Sequence, residues 1–204
     1  MNELESRSYQ FEVRAEHDET HGNIITGRPI VYNSRTNIGP FDEIIEGGAL
    51  DNTDLRDVRF LVNHDTNGIP LARSRNNNSN STMQLIVEEN GLGIRVNMDT
   101  ENNPQARALY SAVQRGDISG MSFMFVVRDQ EWDNLDSEHP TRRIKSISTV
   151  VEVSAVTFPA YEATTIQARG KEALENARAV LDSARRQSLD SDLELEKLKI
   201  KYLY

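Results

Sequence analysis

The sequence predicts a mainly β fold, a β-barrel-like or sandwich core with few helices, followed by a helical C-terminal tail. Three observations predict it. Short runs of alternating or β-branched residues recur up to Phe158, separated by turn-forming residues. Only one stretch in that region, residues 103–116, spaces its apolar residues as a helix does. From Gly170 onward strong helix formers and charges of both signs take over, with no proline and no further glycine.

The elements follow in order. YQFEVRAE (9–16) alternates and NIITGRPIVY (23–32) is β-branched, with the turn-prone HDETHG between them, which predicts a hairpin. FDEIIE (41–46) is a short element stopped by Gly47 and Gly48, and DVRFLV (57–62) reads as a buried strand ending at Asn63, His64 and Asp65. The Asn/Ser-rich segment 74–82 reads as a loop, and MQLIVE (83–88) with GIRVNM (93–98) as a second hairpin. Ala106, Leu109, Tyr110 and Val113 share a helical face, with Pro104 suited to the first turn and Gly116 to the stop. SGMSFMF (119–125), residues 130–132, 143–148 and 150–158 supply further strands, and 133–139 an acidic loop. In the tail, Ala173, Ala177, Val180, Leu181 and Ala184 form one apolar stripe; Leu193, Leu195, Leu198, Ile200 and Leu203 are less ordered. This divides the chain into a domain over 1–168 and a tail over 169–204, which reads either as a solvated or dimerising helix or as a segment that docks onto an assembly.

Composition narrows the function. The 204 residues carry a net charge of −9, which disfavours nucleic acid as a partner, because phosphate neutralisation needs a surplus of Lys and Arg. No apolar run approaches the roughly 18–20 residues of a membrane helix, and the charged N-terminus has no signal-like apolar stretch, so no membrane partner and a cytoplasmic setting are expected. With no cysteine, thiolate chemistry is excluded and covalent catalysis falls to serine, threonine or a carboxylate. No metal or cofactor is expected.

Three polar residues stand out in apolar strands. Alternation puts Ser122 on one face with Met124 and Val126, and Glu152 on a face with Ser154, Val156 and Phe158. An ionised carboxylate there needs a donor or a cation, which Arg143 or His64 would supply. His64 is the one histidine of four that follows a core strand. Asp65 beside it is either an orienting carboxylate or a turn former. Read locally, Ser122 is a packing residue and His64 a satisfied strand-end group.

In the order His64, Ser122, Glu152, the motifs VNHD (62–65), GDISGMSFMF (116–125) and EVSAVTFPA (152–160) resemble those of the prohead maturation proteases of tailed phages. ITG (25–27), IVY (30–32) and EGGA (46–49) support the likeness, which covers about residues 8–168; Met124 departs from it, standing where the family commonly has glycine. The resemblance implies a β-barrel similar to the herpesvirus capsid-maturation proteases and a Ser-His-Glu endopeptidase. Ser122 would be the nucleophile, with Ser119 the alternative, His64 the base and Glu152 its orienting acid. Arg142 and Arg143 are the oxyanion or support candidates. Implied substrates and partners are the major capsid protein with its scaffold segment, the portal and other prohead proteins, the protease itself and a second copy of the chain. The implied location is the assembling prohead in the host cytoplasm. The alternatives are a non-catalytic scaffold or assembly protein on the same barrel, and a barrel that binds a small ligand or peptide.

Overall fold

The computed structural model describes residues 4–9, 13–157 and 170–187. It is mainly β, as the alternation predicts. The strands are β1 (Leu4–Tyr9), β2 (Val13–Asp18), β3 (Gly22–Val31), β4 (Arg35–Asn37), β5 (Asp42–Ile45), β6 (Asp57–Val62), β7 (Ala72–Arg75), β8 (Met83–Glu88), β9 (Gly91–Asn97), β10 (Gly120–Asp133) and β11 (Thr141–Val156). Helix α1 spans Pro104–Gln114 and a second helix, α2, residues 170–187.

Among the described residues the strands do not close into one barrel. One sheet runs β1-β10-β11-β5-β4 with β6 and β7 branching from β11, and a second runs β2-β3-β9-β8. The larger of two apolar cores among the described residues lies between them, built from residues such as Ile25, Phe60, Leu92, Phe123, Phe125 and Val153, with Ala106, Leu109 and Val113 of α1 against it. The helix begins and ends where its sequence dictates. Asn103 Oδ1 accepts from the Gln105 and Ala106 amides, and Gly116 follows the helix at φ 79°.

Three expectations need correction. The stretch 9–16 is not one strand: β1 ends at Tyr9, and β2, the true hairpin partner of β3, begins at Val13. Residues 130–132 continue β10, and 143–148 and 150–156 are one strand, β11, because bulges between Met124 and Gln130 let the two long strands bend without breaking. The loop assigned to 74–82 starts within β7. In α2 the stripe is half-buried at Ala173, Ala177 and Leu181 and exposed at Val180 and Ala184, and Leu174 buries against Ile38 and Phe41. Arg178 also donates to the carbonyls of Leu135 and Ser137, and Arg185 pairs with Asp136, so the acidic loop holds the helix. Leu193, Leu195, Leu198, Ile200 and Leu203 lie outside the described residues.

β11 organises the larger sheet. Its first part pairs in parallel with β5, its last part with β6, and its other edge runs antiparallel along β10. β1 and β5 are three strand spacings apart, roughly 14 Å if the sheet were flat. Arg7 of β1 nevertheless donates from Nε to Glu43 of β5 at 2.5 Å, so the sheet is strongly rolled. Arg142 joins the same cluster, donating to Glu5 at 2.6 and 2.8 Å and to Glu43 at 3.0 Å. Two cations and two carboxylates thus sit together, with Arg7, Glu43 and Arg142 all buried.

This cluster has measurable consequences. Burial alone would push the Glu5 carboxyl up, but hydrogen bonds and charge from Arg142 and Arg7 outweigh it and lower it from 4.5 to about 2. A depressed carboxylate stabilises the fold fully above its unfolded value, and the benefit fades as pH falls through the folded one. Stability against urea should therefore fall between about pH 4.5 and pH 2, and more weakly so in Glu5→Gln. Glu43→Ala, which strands buried Arg7 and Arg142 charge, should cost about 3–5 kcal/mol in the same measurement.

Candidate active site

The site grows from the outer face of β10 and β11. Ser122 pairs with Ser154 across that boundary and with Ser8 of β1 on the other side, so three serines make one row over three strands. Their small side chains leave room above the sheet for a ring. The ring comes from the end of β6, which pairs with β11 so that Leu61 lies beside Ser154.

The chain must turn sharply to deliver it. Asn63 and His64 both adopt left-handed backbone, at φ 50° and 56°. For a histidine this conformation is uncommon and costs on the order of 1–3 kcal/mol. The neighbours hold it. Asn63 exchanges two hydrogen bonds with Thr157, at 2.9 and 3.0 Å, and the His64 amide donates to Ser154 Oγ at 3.2 Å. Asp65 is the turn former of the two readings: its Oδ1 accepts from the Asn67 and Gly68 amides.

The imidazole then bridges two groups. Nδ1 lies 2.5 Å from Glu152 Oε1 and Nε2 lies 2.6 Å from Ser122 Oγ. Glu152, 1% exposed, is further satisfied at Oε2 by the Ser154 hydroxyl at 2.5 Å. An ionised carboxylate only accepts, so it fixes the proton on Nδ1 and leaves the Nε2 lone pair facing the serine. The arrangement can take a proton from Ser122 and stabilise the imidazolium that results.

The other candidates lie elsewhere. Ser119 is exposed in the loop before β10, whereas the ring reaches Ser122. Arg142 and Arg143 are not brought to Ser122. They stand near the opposite end of β11, facing Trp132 and Glu131 of β10. Arg142 is occupied by Gln130, Glu5 and Glu43, and Arg143 by Asp133 and Glu46. Arg143 is therefore not the partner of Glu152 either. Met124 is half-buried opposite Glu152, next to a bulge. Among the described residues no group of three or more His, Asp or Glu is arranged to hold a metal ion.

Sequence reasoning placed Ser154 beside Glu152, which its hydroxyl meets, but missed its second contact and the contribution of β1. Ser154 was legible as a neighbour of Glu152, but its contact with the His64 amide depends on the register of β6. Ser8 and the Arg7 carbonyl, 2.8 and 2.7 Å from Ser122 Oγ, come from a strand whose core-facing positions are charged, so no apolar alternation announces it.

No curated protein matches the sequence. Among solved structures, the bacteriophage T4 capsid assembly protease gp21 is similar over 74% of this chain and 98% of its own, at 12% identity and a TM-score of 0.37. That likeness is too slight to carry an argument. The family model described as caudovirus prohead serine protease matches residues 9–178. The match spans most of the chain, so the chain belongs to the caudovirus prohead serine protease family.

Proposed function

We propose that the protein is an endopeptidase in which Ser122 is the nucleophile, His64 the general base and acid, and Glu152 the group that orients and stabilises the imidazole. The observation that carries this reading is the imidazole held between Glu152 and Ser122 at 2.5 and 2.6 Å. Ser122 Oγ attacks the scissile carbonyl carbon while its proton passes to His64 Nε2. The tetrahedral intermediate collapses as His64 returns that proton to the leaving amine. Water, deprotonated by His64, then attacks the acyl-serine, and the proton goes back to Ser122 as the acid product leaves.

The substrates proposed are the scaffold segment of the major capsid protein, other internal prohead proteins and further copies of the protease, cleaved within the assembling prohead, with the portal as a further partner. Family membership supports this class. An apolar cavity of about 400 Å³ next to the site supports an apolar side chain near the scissile bond. Leu61, Val62, Leu71, Ala108, Leu109 and Ile118 line it, two of them at the end of the strand that carries His64.

The test is co-expression with the capsid precursor and mass mapping of the resulting termini. Wild type should produce new termini and Ser122→Ala none, with assembly retained; identical termini in both would overturn the reading. Glu152→Gln, which disturbs the tautomer while keeping the shape, should lower the cleavage rate by about 10⁴-fold. Ala108→Trp, which fills the cavity, should raise KM for the capsid precursor while leaving the rate of Ser122 labelling by a small fluorophosphonate unchanged.

A further inference from the structure

We propose that β1 is a latency strand: it saturates the Ser122 hydroxyl and occupies the β10 edge on which an extended peptide substrate would bind. The proposal rests on Ser122 being the nucleophile.

The hydroxyl has one proton and two lone pairs. Ser122 Oγ donates to the Arg7 carbonyl at 2.7 Å, and the Ser8 hydroxyl donates to it at 2.8 Å. A carbonyl cannot give a proton back, so Arg7 competes directly with His64 Nε2, at 2.6 Å, for the single proton of the nucleophile. Together with its own Cβ, Ser122 Oγ has four neighbours around a tetrahedral oxygen. No direction remains from which a substrate carbon could be approached. Exposure agrees: the His64 side chain is 13% exposed, but Ser122 is 0% exposed.

The strand can leave without stranding charge. Glu5 and Arg7 depart together, and the Glu43–Arg142 pair left behind, at 3.0 Å, is itself neutral. A buried cluster that splits into two neutral pairs avoids the several kcal/mol that a single departing charge would cost. β1 is also the one strand of this sheet that lies, apart from Tyr9, outside the family match beginning at residue 9.

Its departure uncovers a specific surface. β1 pairs with Met121 to Val126 in antiparallel register, Ser8 facing Ser122. Once vacated, that edge offers main-chain donors and acceptors beside the nucleophile, to which an extended peptide adds as a strand.

Because the chain has no cysteine, one engineered pair can lock the strand. Leu4 and Val126 face each other across β1 and β10, away from the site. In L4C/V126C, oxidation should slow fluorophosphonate labelling of Ser122 by at least about tenfold relative to the reduced form, since only the open fraction reacts. Capsid-precursor cleavage should fall in parallel, and thiol reductant should restore both. A chain lacking residues 1–9, with folding checked by near-UV circular dichroism, should label faster than wild type. Equal labelling of the oxidised and reduced forms overturns the latency strand and leaves the nucleophile in place. Labelling that persists in Ser122→Ala overturns the nucleophile itself, and the proposal with it. If the shortened chain does not fold, the disulfide pair alone decides.

Discussion

A carboxylate sealed inside a protein must be answered by donors or it will not stay ionised, and Glu152 is such a carboxylate. With 1% exposure it draws a hydroxyl from Ser154 and a ring N–H from His64, and nearly everything distinctive about the site follows from meeting that demand. The ring can reach Glu152 only if the chain leaves β6 through two consecutive left-handed residues. That turn is held by Asn63 with Thr157 and by Ser154 accepting from the His64 amide. Ser154 therefore serves both ends of one linkage, satisfying the Glu152 carboxylate and fixing the backbone that delivers the His64 ring. The orientation of Nε2 toward Ser122 is a consequence of these bonds rather than of the serine.

The same strand performs a second task at its other end. Arg142 sits on β11 as Glu152 does, but on the concave side of a rolled sheet, where it neutralises Glu5 and Glu43 alongside Arg7. The two polar systems lie on opposite faces and are joined by β1. Arg7 sends its side chain to the charge cluster and its carbonyl to Ser122. Through one residue, the packing of the sheet interior is coupled to the hydrogen bonding of the hydroxyl outside.

Much of this was legible in the sequence, and the reasons are specific. Alternation in 83–88 and 93–98, and the apolar run in 57–62, marked strands, because each presents an apolar face to a common core. Glu152 and His64 were legible as anomalies, an acid within an apolar run and a histidine at the end of a core strand. Their meeting was not, since it depends on β6 pairing in parallel with the end of β11, which no local pattern encodes. β1 was illegible for the opposite reason: Glu5 and Arg7 face inward, so its pattern reads as solvent-exposed. The barrel expectation failed at closure, where side-chain ion pairs between β1 and β5 stand in place of a main-chain ladder.

That substitution matters for how the sheet can change. A ladder of main-chain hydrogen bonds closing a barrel would have to break as a unit, and the freed groups would be unsatisfied wherever water could not reach them. Ion pairs between complementary side chains separate differently, since each half can carry its own counter-charge. Glu5 with Arg7 on one side, and Glu43 with Arg142 on the other, have that property. A roll closed in this way keeps β6, β10 and the end of β11, which position the three site residues, on main-chain pairing. β1 is thus held in two ways, by main-chain pairing to β10 beside Ser122 and by ion pairs to β5 and β11.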